Sequence, residues 1–290
     1  MIAKSELIIN GDGSVFHLHI KPEHLADTVV MVGDPERVGM IASFFDSVED
    51  EGHSREFRHV TGTYKGCRMT CVSHGIGTDN IDIVMTELDA LANIDFETRE
   101  EKPEHRSLRI VRIGTSGAIH PDIPLGSYVL SHVSIGFDCL MRWYGDLGKI
   151  NLDDYEQDFL RFTDWDSAGL PHPYFVRSSE KMISLFSDFT IPGMTISAPG
   201  FYGPQGRVIR IPLAMPDMLK RLEEWRYDGR RITNFEMESS ALAGLAAHLG
   251  HDATTVCCII ANRYAGESNT DYKPHVRGLV ELVLDRLAGV

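Results

Sequence analysis

Short runs of β-branched and aliphatic residues alternate with helical patterns, and three of the runs stop at glycine-containing segments. That alternation constrains the fold more than any other feature of the chain. Thr28 to Val32 reads as a buried strand that stops at Gly33-Asp34-Pro35. Asp34 is a good N-cap and Pro suits a first helical position, so a helix is predicted over Pro35 to Phe45. Cys67 to Ser73 is a second strand, followed by His74-Gly75-Ile76-Gly77. Thr78 to Asn93 then carries Ile81, Val84, Leu88 and Leu91 at helical spacing. Leu108 to Ile113 is a third strand, predicted to end in a turn at Gly114-Thr115-Ser116-Gly117. Ser127 to Ile135 and Ala253 to Ala261 add strands. Met215 to Tyr227, Met237 to Leu249 and Pro274 to Leu287 add helices. Strands alternating with helices predict an α/β protein with a largely parallel central sheet. The pattern resumes unchanged after two polar stretches, 97–107 and 141–173. They are therefore read as insertions into a single domain spanning 1–290.

The charge balance removes whole classes of function. There are 42 acidic and 28 Lys or Arg residues, a formal net charge of −14. Nonspecific binding to nucleic acid or to an anionic membrane needs a basic face, so neither partner is expected. No apolar run approaches the ~20 residues that span a bilayer, and the first residues lack a signal-peptide core. The five cysteines include no C-x-x-C, and the adjacent Cys257 and Cys258 must face opposite sides of a strand. Reduced thiols and a cytoplasmic location are expected.

The glycine segments carry the candidate chemistry. Glycine lets a backbone approach a ligand, and its N–H groups can hold an anion. Ligands of open α/β sheets bind at such strand ends. Arg37 follows the first segment, and Arg112 precedes the third within an otherwise apolar strand. An arginine in that position must be paired or reach a ligand. Other motifs fail. Gly75-Ile76-Gly77 lacks the third glycine of a dinucleotide fingerprint, and no G-x-x-x-x-G-K-[ST] or H-E-x-x-H occurs. Ala118 stands where a nucleophile elbow closes with glycine. The 13 histidines are scattered, and no metal site is expected. Glu236 and Glu238 straddle a change from strand to helix, where they either complement the helix dipole or grip vicinal hydroxyls. Phe201-Tyr202-Gly203-Pro204-Gln205-Gly206-Arg207 places an aromatic, an amide and a guanidinium in one loop, a set able to hold a planar heterocycle.

These pieces, in this order, resemble the nucleoside phosphorylase family and within it the uridine phosphorylases. The resemblance runs from Phe16-His17-Leu18 to Asn262-Arg263. It rests most on Gly33-Asp34-Pro35-Glu36-Arg37, on Arg112-Ile113-Gly114-Thr115-Ser116-Gly117-Ala118, on Phe235-Glu236-Met237-Glu238-Ser239 and on the Phe201 to Arg207 loop. It implies a three-layer α/β/α domain around a mixed, twisted sheet. It also implies phosphorolysis of uridine to uracil and ribose 1-phosphate. Gly33, Arg37, Arg112 and Thr115 would bind phosphate, completed by Arg55 of a neighbouring subunit. Met237 and Glu238 would hold the ribose, with His17 arriving from the neighbour. Phe201 would stack on the base, Gln205 and Arg207 would read its edge, and Arg263 would lie on the base side. Arg112, Arg207, Gln205 and Glu238 would carry catalysis.

The family assembles as a homo-oligomer with shared sites, a dimer or a trimer of dimers. No cofactor is implied beyond phosphate as co-substrate. Some relatives hold an interface potassium ion with residues matching Glu56, Ile76 and Asn80. Here Thr78-Asp79-Asn80 departs from the pattern, which counts against the ion. The rival readings are a purine phosphorylase or nucleosidase of the same fold, or a silent nucleoside-binding protein. Purine relatives use an aspartate near the end of the last strand, where this chain has Ala261-Asn262-Arg263.

Overall fold

The computed structural model of the chain describes residues 1–289. Its first half runs β1 (Thr28–Val32), α1 (Pro35–Ala42), β2 (Ser47–Ser54), β3 (Phe57–Tyr64), β4 (Cys67–Ser73), α2 (Thr78–Asn93), β5 (Ile94–Asp95), β6 (Glu100–Glu101), β7 (Arg109–Ala118) and β8 (Tyr128–Gly136). The second half runs α3 (Asp153–Thr163), β9 (Tyr174–Arg177), α4 (Glu180–Phe186), β10 (Ile191–Ser197), α5 (Met218–Glu224), β11 (Arg226–Tyr227), β12 (Arg230–Glu236), α6 (Ser239–Leu249), β13 (Asp252–Asn262), β14 (Glu267–Ser268) and α7 (Lys273–Ala288).

One large sheet organises the molecule, in the order β11-β12-β10-β8-β13-β7-β1-β4-β3-β2. It is mixed rather than largely parallel. β1 pairs in parallel with β4 and β7, while β2, β3 and β4 form an antiparallel meander. β2 (Ser-Val-Glu-Asp-Glu-Gly-His-Ser) lies at the sheet edge and is mostly exposed, so it carries no apolar run to read. β10 contains Pro192 and Gly193, which argue against a strand in sequence. Helices α2 and α6 pack on one face, through Ile81, Val84, Leu88, Leu91, Leu242 and Leu245. Helices α1, α4 and α7 pack on the other, through Val38, Ile41, Ile183, Leu279 and Val283. The three layers are therefore present.

Two expectations are corrected. Gly114 to Gly117 is not a turn, because β7 continues to Ala118. Its first half pairs with β1, nearly its whole length pairs with β13, and Gly117 and Ala118 pair antiparallel with Phe235 and Asn234 of β12. That last pairing closes β7, β13, β8, β10 and β12 into a ring. Glycine is needed at 114 for close approach. A Cβ there would lie 2.5 Å from Arg112 Nη1 and 2.9 Å from Cys257 Sγ. The helix expected over Met215 to Tyr227 is only Met218–Glu224. Arg226 and Tyr227 then pair with Arg231 and Arg230 in a hairpin. Asp228 and Gly229 turn it with φ of 50° and 69°, the Asp-Gly signature of a tight hairpin.

The 141–173 stretch is partly core. Tyr155, Phe159, Leu160 and Trp165 pack with Val133, Phe175, Ile196 and Trp225 against one side of the ring. On the neighbouring strand, Gly136 faces Tyr174, and a Cβ at 136 would fall 2.2 Å from the tyrosine ring. The ring cannot yield, because Tyr174 is fully buried and its hydroxyl bonds Asp138 at 2.9 Å and Ser240 at 3.1 Å. Gly136→Ala is expected to cost about 1–3 kcal/mol of stability by overpacking. Gly145→Ala, which meets nothing within 4 Å, should cost little. Urea unfolding midpoints of the two variants check the contrast.

Candidate active site

A cavity of about 830 Å³ opens beside the ends of β1, β4, β7, β12 and β13. Gly33, Arg37, Arg112, Thr115, Phe201, Gln205, Arg207, Met237 and Glu238 all line it. Nine of the twelve residues singled out in the sequence therefore meet in one place.

Its cationic end is built from β1, β7 and the first turn of α1. Asp34 caps that helix by accepting from Glu36 N at 2.9 Å, which sets Arg37 one turn in. Arg37 Nη1 donates to the Ile113 carbonyl at 3.0 Å, and no carboxylate pairs with it among the described residues. Burial, and then the neighbouring Arg112, hold the Arg37 pKa below the usual arginine range. A desolvated cation without a counter-ion favours the arrival of an anion.

Arg112 is satisfied differently from the expectation. Its fork does not stand open for two oxygens of an anion. Nη1 is ion-paired with Glu236 at 2.9 Å and donates to Cys257 Sγ at 3.8 Å, Nη2 donates to Glu238, and Nε donates to His74 Nε2 at 3.1 Å. Burial works against its charge, but Glu238 and Glu236 overcome that and hold its pKa above the ordinary value.

The two glutamates have different partners. Glu236 ends β12 and caps α6, accepting from Glu238 N at 2.9 Å, from Ser239 N at 3.0 Å and from Ser197 Oγ at 2.6 Å. It is a helix-terminus carboxylate. Glu238 precedes the first turn of α6, which begins at Ser239 rather than Met237. It accepts from Gly77 N at 2.8 Å and from Arg112. Burial, and the Glu236 charge opposing the pull of Arg112, push its pKa up to about 7.

The other end is the 201–207 loop. The Arg207 guanidinium lies over the Phe201 ring, 3.8 Å from its centroid, and donates to Gln205 Oε1 at 2.6 Å. Gln205 is buried, whereas Phe201 is 52% exposed. Gly206 turns the loop at φ 72°, with Leu219 filling the space a Cβ would need. Arg263 does not line the cavity. It lies behind the loop and donates to the Gln205 and Gly206 carbonyls. Asn269, Thr270 and Tyr272, between β14 and α7, also line the cavity. No motif marks them; the fold alone brings that segment there.

His17 and Arg55 stand elsewhere. His17 Nδ1 bonds Glu87 at 2.6 Å, and Glu87 also accepts from Leu18 N at 2.9 Å. Arg55 is exposed at the β2–β3 turn, with φ 54°. Neither lines this chain's cavity. Near Gly75, the Asn80 amide nitrogen faces the Ile76 carbonyl at 3.5 Å. Asp89, His105 and His251 form the cluster nearest to a metal-ligand set among the described residues. Leu108 N–H donates to His251 Nδ1 at 3.1 Å, so Nε2 carries the proton and faces Asp89 at 3.2 Å. A protonated nitrogen cannot ligate a metal.

The profile of the phosphorylase superfamily matches residues 27–288. A uridine phosphorylase of Thermococcus kodakarensis is 28% identical over 256 residues, covering 88% of this chain and 80% of its own. A DeoD-type purine nucleoside phosphorylase of Aliivibrio fischeri is 27% identical over 255 residues, covering 88% of both. Among solved structures, a Trypanosoma brucei nucleoside phosphorylase described as showing uridine phosphorylase activity superposes with a TM-score of 0.88. It is 28% identical, and the match covers 98% of this chain and 100% of that one.

The raised pKa of Glu238 has a measurable consequence. Its folded-state value, about 7, lies above the usual carboxylate range. The folded state therefore holds a proton that the unfolded chain has already released. The Glu238 contribution to stability must therefore fall as pH rises from about 4.5 through 7. Glu238→Gln should remove that loss, so wild type should lose up to about 3 kcal/mol more than the variant between pH 5 and 8. Unfolding free energies across that range check it. Parallel curves would mean that Glu238 is ionised throughout.

Proposed function

The chain belongs to the phosphorylase superfamily, and from that premise we propose that it cleaves uridine with inorganic phosphate, releasing uracil and ribose 1-phosphate. The observation that carries this reading is the cavity's pairing of an unpaired buried arginine at one end with a stacking, amide and guanidinium set at the other. Phosphate would sit against Arg37, the backbone at Gly33 and the Thr115 hydroxyl, with Arg112 beside it. One phosphate oxygen attacks the ribose C1′ as the bond from C1′ to the base nitrogen breaks. Arg37 holds the nucleophile in place, which is catalysis by proximity. Glu238 and Met237 would bind the sugar, and the Glu238 carboxylate favours the cationic character that develops on the ring. The electron pair of the broken bond goes to uracil, whose growing charge Gln205 and Arg207 would stabilise. No covalent enzyme intermediate and no cofactor enters the scheme.

The choice of uridine over a purine nucleoside rests on the loop and on the end of β13. Asn262 there is fully used, donating to the His120 and Ile123 carbonyls and accepting from Tyr264 N and Ala265 N. Ala261 lines the cavity, and among the described residues no acid from the end of β13 lines it to meet a purine imidazole ring. Ultraviolet assays of uridine, thymidine and inosine, each with and without phosphate, test the reading. Uridine should be cleaved only with phosphate and faster than inosine. Equal uracil release without phosphate would point to hydrolysis, and faster inosine cleavage to a purine enzyme.

The reading extends to a homo-oligomer, in the cytoplasm, whose subunits share their sites. His17 and Arg55 would each enter a neighbour's cavity, which suits their position outside their own. A two-fold interface would let each subunit give and receive the pair. Arg37→Ala and Arg55→Ala should each be nearly inactive alone. Co-assembled mixed dimers should recover towards half of the parental activity, because one cavity is then intact. No recovery despite demonstrated co-assembly would place both arginines in the same subunit's site.

A further inference from the structure

Apart from the contact of His74 with Arg112, the segment His74-Gly75-Ile76-Gly77 enters the roles assigned above only through its backbone. It is tied to the first glycine turn, with His74 N donating to the Val32 carbonyl at 2.9 Å and Gly75 N to the Gly33 carbonyl at 3.0 Å. Its end holds Glu238 through Gly77 N. The His74 side chain is fully buried. Its ring lies beside the phosphate turn, with Cε1 3.7 Å from where a Gly33 Cβ would stand.

The tautomer follows from its partner. An arginine Nε always carries a proton, so Arg112 Nε must be the donor in its 3.1 Å contact with His74 Nε2. Nε2 therefore offers its lone pair, and the ring proton sits on Nδ1. Burial, then Arg112 and Arg37, hold the imidazole neutral by driving its pKa well below the usual histidine value. Three groups thus hold Arg112. Glu236 and Glu238 draw its two Nη atoms towards α6, and a neutral acceptor holds Nε on the β4 side.

We propose that His74 is a positioning residue of the anion site, fixing the plane of the Arg112 guanidinium so that its remaining Nη2 hydrogen faces the phosphate bound by Arg37. The proposal rests on the reading of this cavity as a phosphate site. Without the imidazole acceptor, the Nε–H is left buried and unsatisfied, and the guanidinium is free to turn towards the two carboxylates and away from the anion.

The test compares His74→Leu, which removes the acceptor, with His74→Gln, whose side-chain oxygen can reach the place of Nε2. Inorganic phosphate is titrated into each protein by calorimetry, and KM is measured separately for phosphate and uridine. Phosphate affinity of His74→Leu should fall about 10-fold or more, the loss expected for a charge-assisted hydrogen bond. Its uridine KM should move much less, and His74→Gln should recover most of the phosphate affinity. If the leucine variant does not fold, His74→Asn, too short to reach Arg112, replaces it, with phosphate affinity expected to be weaker than that of His74→Gln. Unchanged phosphate affinity in the leucine variant, or no rescue by glutamine at a normal melting temperature, overturns the proposal. Wild type that binds phosphate yet leaves uridine intact would overturn the uridine reading, and the calorimetric comparison would still decide the role of His74. Wild type that binds no phosphate would overturn both.

Discussion

Everything at the site turns on one buried cation. Arg112 sits in the middle of the sheet, and the groups that neutralise and orient it come from three separate places in the chain. His74 arrives at the end of β4, Glu236 at the end of β12 and Glu238 at the start of α6. Gly114 makes room for the guanidinium on its own strand, and Cys257 of β13 flanks it. Leaving such a charge buried without its partners costs about 3–5 kcal/mol. The arrangement thus locks the ends of three strands and a helix into one geometry, and that geometry is the floor of the cavity.

The two buried arginines are not equivalent, and the difference is functional. Among the described residues Arg37 and Arg112 are the only buried Lys or Arg side chains. Arg112 has its charge met by two carboxylates, so its interaction with a ligand is limited by what it has already given away. Arg37 has only a carbonyl, and its charge remains uncompensated. On the proposed reading, an incoming anion would gain most from Arg37, with Arg112 linking it to Glu238, and a chain of net charge −14 could still hold an anion there. What matters is the desolvated charge within a few ångströms, since surface carboxylates are screened over about a Debye length.

Much of this was legible in the sequence because it rests on local patterns. The limits of β1, β4 and α2 were readable from apolar runs and spacing, and the cavity gathers nine of the residues picked out by motif. The failures share a physical cause, which is that pairing between distant segments is invisible locally. Gly114 to Gly117 looks like a turn because glycines usually mark turns. Here they mark a strand approached closely by Arg112, Cys257 and β12. β2 was missed because an exposed edge strand needs no apolar face. The partners of Arg112 could not be read at all, since 126 residues separate it from Glu238 and 38 from His74.

The ring of five strands supplies the last constraint. A flat sheet would leave β12 on the far side of β10, away from β7. Because β7 runs on through Gly117 and pairs with Phe235, the end of β12 is carried back to the neighbourhood of Arg112. Glu236 then caps α6 from inside, and Glu238 is delivered to the cavity as the residue just before that helix. The same closure sets the end of β13 beside the loop, where Arg263 grips the Gln205 and Gly206 carbonyls. The two ends of the cavity are therefore separate in sequence but mechanically one. The end with the arginines is fixed by β1, β4 and β7, and the end with the 201–207 loop by the last strand of the ring, which holds that loop in place.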